Sequence, residues 1–132
     1  MSRFQDLAAF QRSVELVQKI YEATESFPKN ELYGLTSQLR RASVSVMSGI
    51  AEGEGRITPG EWRQMLSQAR GSLFEVEAQL HIAEKLRFLD EQTAIALNSQ
   101  VKKAGAALLG LIRFVQSRER RVPRQPRNPA TS

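Results

Sequence analysis

Cysteine is absent from this 132-residue chain, which excludes a disulfide framework and any metal site built on thiolates. Long apolar runs are missing too, and no stretch approaches the roughly 20 apolar residues of a membrane-spanning helix. The opening residues, "MSRFQDLAAFQRS", lack the apolar core of a secretory signal. These absences predict a cytoplasmic protein with no membrane segment, and the length suggests one domain.

Histidine is nearly absent, because His81 is the only one in the chain. A di-iron helical bundle needs two Glu-x-x-His pairs and two further glutamates, and the sequence contains no Glu-x-x-His. A Ser-His-Asp site would have to use the same histidine, without a strained nucleophile turn. We therefore predict no catalytic residue, no metal site and no cofactor, and we expect His81 at the surface.

Positive charge is concentrated at the C-terminal end. The whole chain carries a net charge of +5, and residues 117–132 account for +4 of it with five arginines against Glu119. The last eleven residues, "VPRQPRNPATS", contain three prolines and no large apolar residue beyond Val122. Such a composition cannot bury a core, so we predict a domain over residues 1–121 and a disordered basic tail over residues 122–132.

Helical periodicity dominates the rest of the chain, and signals for strands are almost missing. Four segments carry apolar residues at alternating steps of three and four. These stripes are Leu7, Phe10, Val14, Val17 and Tyr21; Leu32, Leu35, Leu39, Ala42, Val46 and Gly49; Trp62, Leu66, Ala69, Leu73, Val76, Leu80 and Ala83; and Ala94, Leu97, Val101, Ala104, Leu108, Leu111 and Val115. Short connections between them predict an all-α, antiparallel up-down-up-down four-helix bundle. Three of the helices should run about 25 residues, or about 37 Å.

The glycine-rich stretch "SGIAEGEGRITPGEW" could be a phosphate-binding loop or a turn between helices. A phosphate loop needs a preceding strand and a following lysine, and both are missing here. Thr58–Glu61 instead fits a capping box, with Pro59 at the first helical position. Gly53 and Gly55 are then interpreted as the end of the preceding helix. The stretch is predicted to be a structural turn.

Two further patterns bear on packing. A polar stripe on the second helix would place Arg41 opposite Glu75 and Glu52 opposite Arg63, as cross-helix ion pairs or as a solvated face; the sequence leaves both open. The segment "AGAALLG", residues 104–110, combines small residues with leucines. It is predicted to let another helix approach closely, either the first helix or a neighbouring subunit.

Arginines are the candidate ligand-binding residues, because the guanidinium group pairs well with phosphate. The candidates for nucleic-acid contacts are Arg118, Arg120, Arg121, Arg124 and Arg127 near the C-terminus, with Arg40, Arg56 and Arg70 as weaker candidates in the body. No aromatic residue follows Phe114, so base stacking by the tail is not expected. The alternative is a protein-interaction scaffold whose tail serves only solubility.

The segments "FQDLAAFQRSVELVQKIYEATESFPKNELYGLTSQLRRASVSVMSGIAEGEGR" and "ARGSLFEVEAQL" resemble a known family. The most specific pieces are Tyr33–Thr36, Gln38–Ala42, Ile50–Gly53 and Ala69–Leu73 with Glu75. Together they resemble the four-helix-bundle proteins encoded in intervening sequences of bacterial 23S ribosomal RNA genes, the S23-like family. The accessory variability determinant of diversity-generating retroelements is similar as well. The resemblance covers roughly residues 4–116.

This resemblance implies an up-down four-helix bundle, a ring-like homopentamer and no established enzymatic activity. The retroelement relatives bind nucleic acid and a reverse transcriptase through basic surfaces. The expectation for this chain is therefore a non-enzymatic, homo-oligomeric accessory factor that binds RNA or DNA. A reverse transcriptase or another protein is a further expected partner.

Overall fold

A computed structural model describes Phe4, residues 7–56 and residues 58–121, with the side chain of Arg121 left out. The predicted tail at residues 122–132 lies outside these described residues.

Four helices make up the described part of the chain. They are α1 (Ala8–Thr24), α2 (Ser37–Glu54), α3 (Pro59–Lys85) and α4 (Glu91–Arg121). Helix α1 packs on α2, α2 on α3, α3 on α4, and α4 returns to α1. This closed order, with short connections, is the predicted all-α up-down-up-down four-helix bundle. No strand occurs among the residues that the structure describes.

Only two helices, α3 and α4, reach the length predicted for three of them, whereas α1 and α2 have 17 and 18 residues. A 3₁₀ turn at Lys29–Glu31 and a π-helical segment at Leu32–Thr36 separate them. The segment contains Gly34 at φ −107° and ψ −116°, which breaks the regular helix before α2 begins. The break takes the start of the second predicted stripe out of phase, so Leu32 is 48 % exposed instead of lying in the core.

The apolar stripe predicted for the first helix is not its core face. The buried face of α1 is the neighbouring row Ala9, Ser13, Leu16, Ile20 and Thr24. Ser13 and Thr24 fit in the core because each hydroxyl donates to a carbonyl of its own helix, at 2.7 Å in both cases. The most apolar row of α1 is therefore not its buried row. The predicted row lies beside the core, and its Tyr21 is 41 % exposed.

The stripe predicted for α3 is confirmed. Its six positions from Leu66 to Ala83 are all buried, and Trp62 is half-buried against them. The predicted N-cap is also confirmed, because the Glu61 N–H donates to the Thr58 hydroxyl at 3.2 Å and Pro59 opens the helix.

The predicted end of α2 is confirmed at Gly55, which is the C-cap, whereas Gly53 is not part of the stop. The helix continues to Glu54, and Gly53 is buried inside it. A Cβ atom at Gly53 would lie 2.6 Å from Cδ1 of Trp62, so the missing side chain makes room for the indole.

Gly105 of α4 faces α3 more loosely, since its Cβ would meet Leu73 Cδ2 at 3.4 Å, close to an ordinary van der Waals distance. Gly105 therefore meets α3 and not the first helix named in the sequence analysis, whereas a Cβ at Gly110 would meet no other atom within 4 Å.

Helix α3 ends in a Schellman motif without the usual glycine. The Phe88 N–H donates to the Ala83 carbonyl and the Arg87 N–H to the Glu84 carbonyl, both at 2.9 Å. Arg87 has φ 64°, a left-handed conformation that costs an L-residue roughly 1–2 kcal/mol.

The substitution Arg87→Gly is expected to raise the free energy of unfolding by about 1 kcal/mol, because glycine adopts this conformation without a Cβ clash. Urea unfolding followed by circular dichroism measures the change. Arg87→Ala removes the same charge but keeps a Cβ atom, so it should give no gain. An equal gain from both variants would attribute the effect to charge and contradict the backbone explanation.

Candidate nucleic-acid interface

Three of the predicted arginines lie at one end of the bundle. Arg56 belongs to the connection between α2 and α3, while Arg118 and Arg120 are in the last turns of α4. The start of α3 and the end of α4 meet there, because the Arg63 Nε donates to Glu119 Oε2 at 2.6 Å. The other predicted tail residues, namely the side chain of Arg121 together with Arg124 and Arg127, lie outside the described residues.

Arg40 lies at the opposite end and makes internal contacts. Its Nε donates to the Thr24 hydroxyl at 2.9 Å, and its guanidinium lies 4.6 Å from the centre of the Tyr21 ring. Both partners belong to α1, so Arg40 holds the start of α2 against the end of α1. The structure does not bring this residue together with the other candidates.

Arg70 lies in a groove between α3 and α4, together with an arginine that the sequence analysis did not select. The groove has a volume of about 320 Å³. Its walls include Arg70, Phe74, Leu109, Arg113 and Gln116, and no acidic residue lines it. We refer to Arg70, Phe74, Arg113 and Gln116 as the basic groove.

Phe74 gives the basic groove an exposed aromatic surface. Its side chain is 55 % exposed although it lies on a well-packed helix. The Arg70 guanidinium lies 5.1 Å from the ring centre, within the range of a cation–π contact. An arginine pair next to an accessible ring is the combination that binds phosphates and stacks bases.

The groove residues could have been found in the sequence by one signal. Phe74 lies outside the apolar stripe, which passes through Leu73, and it follows Arg70 by four residues. An aromatic residue off the core stripe and one turn from an arginine marks a surface ring. The register between α3 and α4 that brings Arg113 to the same groove has no local signal.

The predicted cross-helix ion pairs are wrong. Arg63 pairs with Glu119 of α4 and not with Glu52, whose carboxylate lies 4.0 Å from Arg56 in the following turn. Arg41 and Glu75, the other predicted pair, are both exposed. The solvated-face alternative is therefore the correct one for the polar stripe of α2. Since Glu119 compensates Arg63, that arginine adds little positive charge to the basic groove.

The described residues hold no group of three or more side chains that could bind a metal ion. His81 is exposed, as expected from the sequence. Asp90 caps α4, and the hydrogen bond that the Thr93 N–H donates to its carboxylate, at 2.7 Å, holds the pKa of Asp90 below its usual value. No helix in the described part of the chain is long and apolar enough to cross a bilayer.

Comparison with known proteins finds solved structures of the same architecture. One of them is the 1.70 Å crystal structure of a protein of unknown function from the S23 ribosomal protein family of Bacteroides thetaiotaomicron VPI-5482. The TM-score is 0.73 at 16 % sequence identity, and the match covers 80 % of this chain and 95 % of the other. At that identity the likeness establishes the fold alone. No curated protein gives a significant match.

The family model of the 23S rRNA-intervening sequence proteins matches residues 5–110. That span contains α1, α2, α3 and most of α4. The chain therefore belongs to the family of 23S rRNA-intervening sequence proteins.

Proposed function

We propose that this protein is a non-enzymatic, homo-oligomeric accessory factor of the cytoplasm that binds RNA or DNA through the basic groove. The observation that carries the proposal is the groove itself, where two arginines and an exposed aromatic ring meet. Glu77 lines a neighbouring groove that also contains Arg70 and Phe74. Nucleic acid combines phosphates, which pair with arginine side chains, with planar bases, which stack on aromatic rings.

The arginines supply the phosphate contacts. Arg113 and Arg120 lie seven residues apart on α4, which is two helical turns, so they project from the same face of the helix. Arg70 faces Arg113 from α3. The line of positive charge thus continues along α4 from Arg113 to Arg120, and a phosphate backbone can follow it.

Phe74 favours nucleic acid with unpaired bases. A base inside a duplex presents only its edges, whereas an unpaired base offers a face for stacking on an exposed ring. Arg70 is already held near Phe74, so the stacking surface and one phosphate contact are preorganised. We therefore infer a preference for single-stranded segments or loops over uninterrupted duplex.

The homo-oligomer is supported by an apolar surface on the opposite side of the bundle. We refer to Tyr21, Leu32, Tyr33 and Val44 as the α1/α2 face. Tyr33 is 93 % exposed, which is unusual for a large aromatic residue. Because the α1/α2 face lies across the bundle from α3 and α4, self-association through it leaves the basic groove open. The ring-like homopentamer implied by the family resemblance would use such a surface.

The same α1/α2 face also favours a second candidate function. Arg40 and Arg41 border it, so an acidic and apolar surface of another protein, such as a reverse transcriptase, could bind there. In that case the protein is an interaction scaffold without a role in nucleic-acid binding. The following experiment separates the two functions.

Fluorescence anisotropy with labelled single-stranded DNA, structured RNA and duplex DNA tests the proposal. The double variant Arg70→Gln/Arg113→Gln is expected to weaken binding of the single-stranded probe about tenfold or more and to reduce the slope of log affinity against log salt by about 1.4. The control, Arg12→Gln/Arg41→Gln, removes the same charge from exposed positions on α1 and α2. Equal binding by the two double variants would contradict a role for the groove.

A chain that ends at Arg121 distinguishes the groove from the tail. If the groove supplies the main contacts, this shortened chain keeps the selectivity for unpaired bases and loses only part of the salt dependence. If binding disappears with residues 122–132, the arginines of the tail carry the affinity. If neither chain binds at low salt, the nucleic-acid function is wrong and the scaffold function takes its place.

A further inference from the structure

The seam between α3 and α4 carries two further grooves beyond the basic groove. Their volumes are about 170 and 570 Å³. The exposed Phe74 ring lines both of them, as it also lines the basic groove. Phe74 therefore lies in the middle of one surface that follows the seam, and a base stacked on this ring has protein groups on either side of it.

Lys102 of α4 provides positive charge on the far side of the ring. Its side chain is exposed and lines both further grooves. Residues 102 and 113 of α4 are separated by about 16 Å along the helix axis, at 1.5 Å per residue. A single strand that crosses Phe74 thus meets Arg70 and Arg113 on one side and Lys102 on the other, and all three contacts are made to phosphates.

Glu77 brings an acidic group to the same place. It follows Phe74 by three residues on α3, so the two side chains are neighbours on the helix surface. Both further grooves are lined by Glu77, whose side chain is exposed. Within the described part of the chain its carboxylate accepts no hydrogen bond and forms no ion pair, although Lys102 lines the same grooves. The carboxylate is open to a ligand.

A free carboxylate beside a stacking ring discriminates between bases. It repels phosphates and can only accept hydrogen bonds, so its favourable partner in a nucleic acid is a donor on a base. Cytosine carries an amino group at N4, which donates, whereas thymine carries an oxygen at the corresponding position, which accepts. The pairing edge of an unpaired base is free for such a contact. Cytosine can therefore donate to Glu77, while the thymine oxygen is repelled.

We propose that Glu77 is a specificity-determining residue of the nucleic-acid interface. It accepts a hydrogen bond from the amino group of a base stacked on Phe74, and it thereby favours bases that carry an amino group over thymine and uracil. The inference rests on the proposed nucleic-acid function, because the carboxylate selects only among bases that reach Phe74. Contacts from Arg70, Arg113 and Lys102 to phosphates are the same for every base and do not produce this preference.

Oligo-dC and oligo-dT of equal length, about eight nucleotides, are the matched probes, because both are pyrimidines and differ at the group that faces Glu77. Fluorescence anisotropy in mildly alkaline buffer, where cytosine is neutral, is expected to show about fivefold tighter binding of oligo-dC by the full chain. Glu77→Gln should abolish the preference, since an amide can both accept from cytosine and donate to thymine. Glu75→Gln removes the same charge from another exposed position on α3 and should retain it.

Lys102→Gln separates the phosphate contact from the base contact. It should weaken both probes by a similar factor and leave their ratio unchanged, because a phosphate contact carries no base information. Equal affinity of the wild-type chain for the two probes would overturn the role of Glu77 and leave the nucleic-acid function standing. A preference that persists in Glu77→Gln would also overturn it. If neither probe binds at low salt, the proposed function itself is wrong and the role of Glu77 is refuted with it.

Discussion

Replacing Gly49 with valine is expected to lower the free energy of unfolding by about 3 kcal/mol, because it overpacks the contact between α2 and α3. A Cβ atom at Gly49 would lie 3.1 Å from the Cβ of Ala69 and 3.5 Å from the backbone oxygen of Met65. Neither atom can move away by a side-chain rotation. The two helices would have to separate, and this would loosen the packing around Ile50 and Leu66, both fully buried.

Gly53 presents a milder case on the same helix. Its Cβ atom would approach the Trp62 ring more closely, at 2.6 Å. Trp62 is only half-buried, however, so its indole can turn towards solvent and relieve the contact. We therefore expect Gly53→Val to destabilise the fold less than Gly49→Val, although the static distance is shorter.

Urea unfolding measures both effects, and Gly110→Val is the matched control. Gly110 lies inside α4, and a Cβ atom there would meet no other atom within 4 Å, so the substitution changes helix propensity alone. Gly110→Ala should stabilise the protein by up to about 1 kcal/mol. Similar losses for valine at positions 49 and 110 would contradict the close approach of α2 and α3.

Replacing Leu32 and Tyr33 by glutamate is expected to dissolve the proposed homo-oligomer into monomers of 14.8 kDa. Both side chains project from the α1/α2 face, and charged groups buried in an apolar contact between subunits are strongly unfavourable. The monomer itself should fold normally, since Leu32 is about half exposed and Tyr33 almost fully exposed. Light scattering across a range of protein concentrations measures the change in mass.

Ile95→Glu is the control for this second prediction. Ile95 is a comparably exposed apolar residue, but it lies on α4, away from the α1/α2 face. The control should leave the mass unchanged. A wild-type chain that is monomeric would refute the homo-oligomer, and loss of assembly in the control alone would move the interface to the side of α4.

The variant with glutamate at positions 32 and 33 also tests whether assembly affects nucleic-acid binding. A monomeric chain keeps its basic groove, because Arg70 and Arg113 lie across the bundle from the substituted face. Its affinity for a short probe that occupies one groove should match that of the assembled protein. Its affinity for a long probe should fall, because neighbouring grooves no longer act together.

Local patterns were sufficient for the helices themselves. The number of helices, the start of α3 at Pro59 and the buried row from Leu66 to Ala83 were all predicted correctly. Capping and periodicity act within a few residues along the chain, and the sequence records such interactions directly. The 3–4 spacing of apolar residues was therefore a reliable guide wherever the core-facing residues were also the most apolar ones.

Tertiary packing decided what the sequence left open. On α1, two rows follow a similar spacing, and the row with Ser13 and Thr24 forms the core, where each hydroxyl bonds to its own helix. The pairing of Arg63 with Glu119 depends on the register between α3 and α4. So does the meeting of Arg70, Phe74 and Arg113 in one groove. Sequence by itself determined four amphipathic helices and a basic C-terminus. Packing alone decided which helix faces meet, because the pairing of faces depends on contacts between residues far apart in the chain.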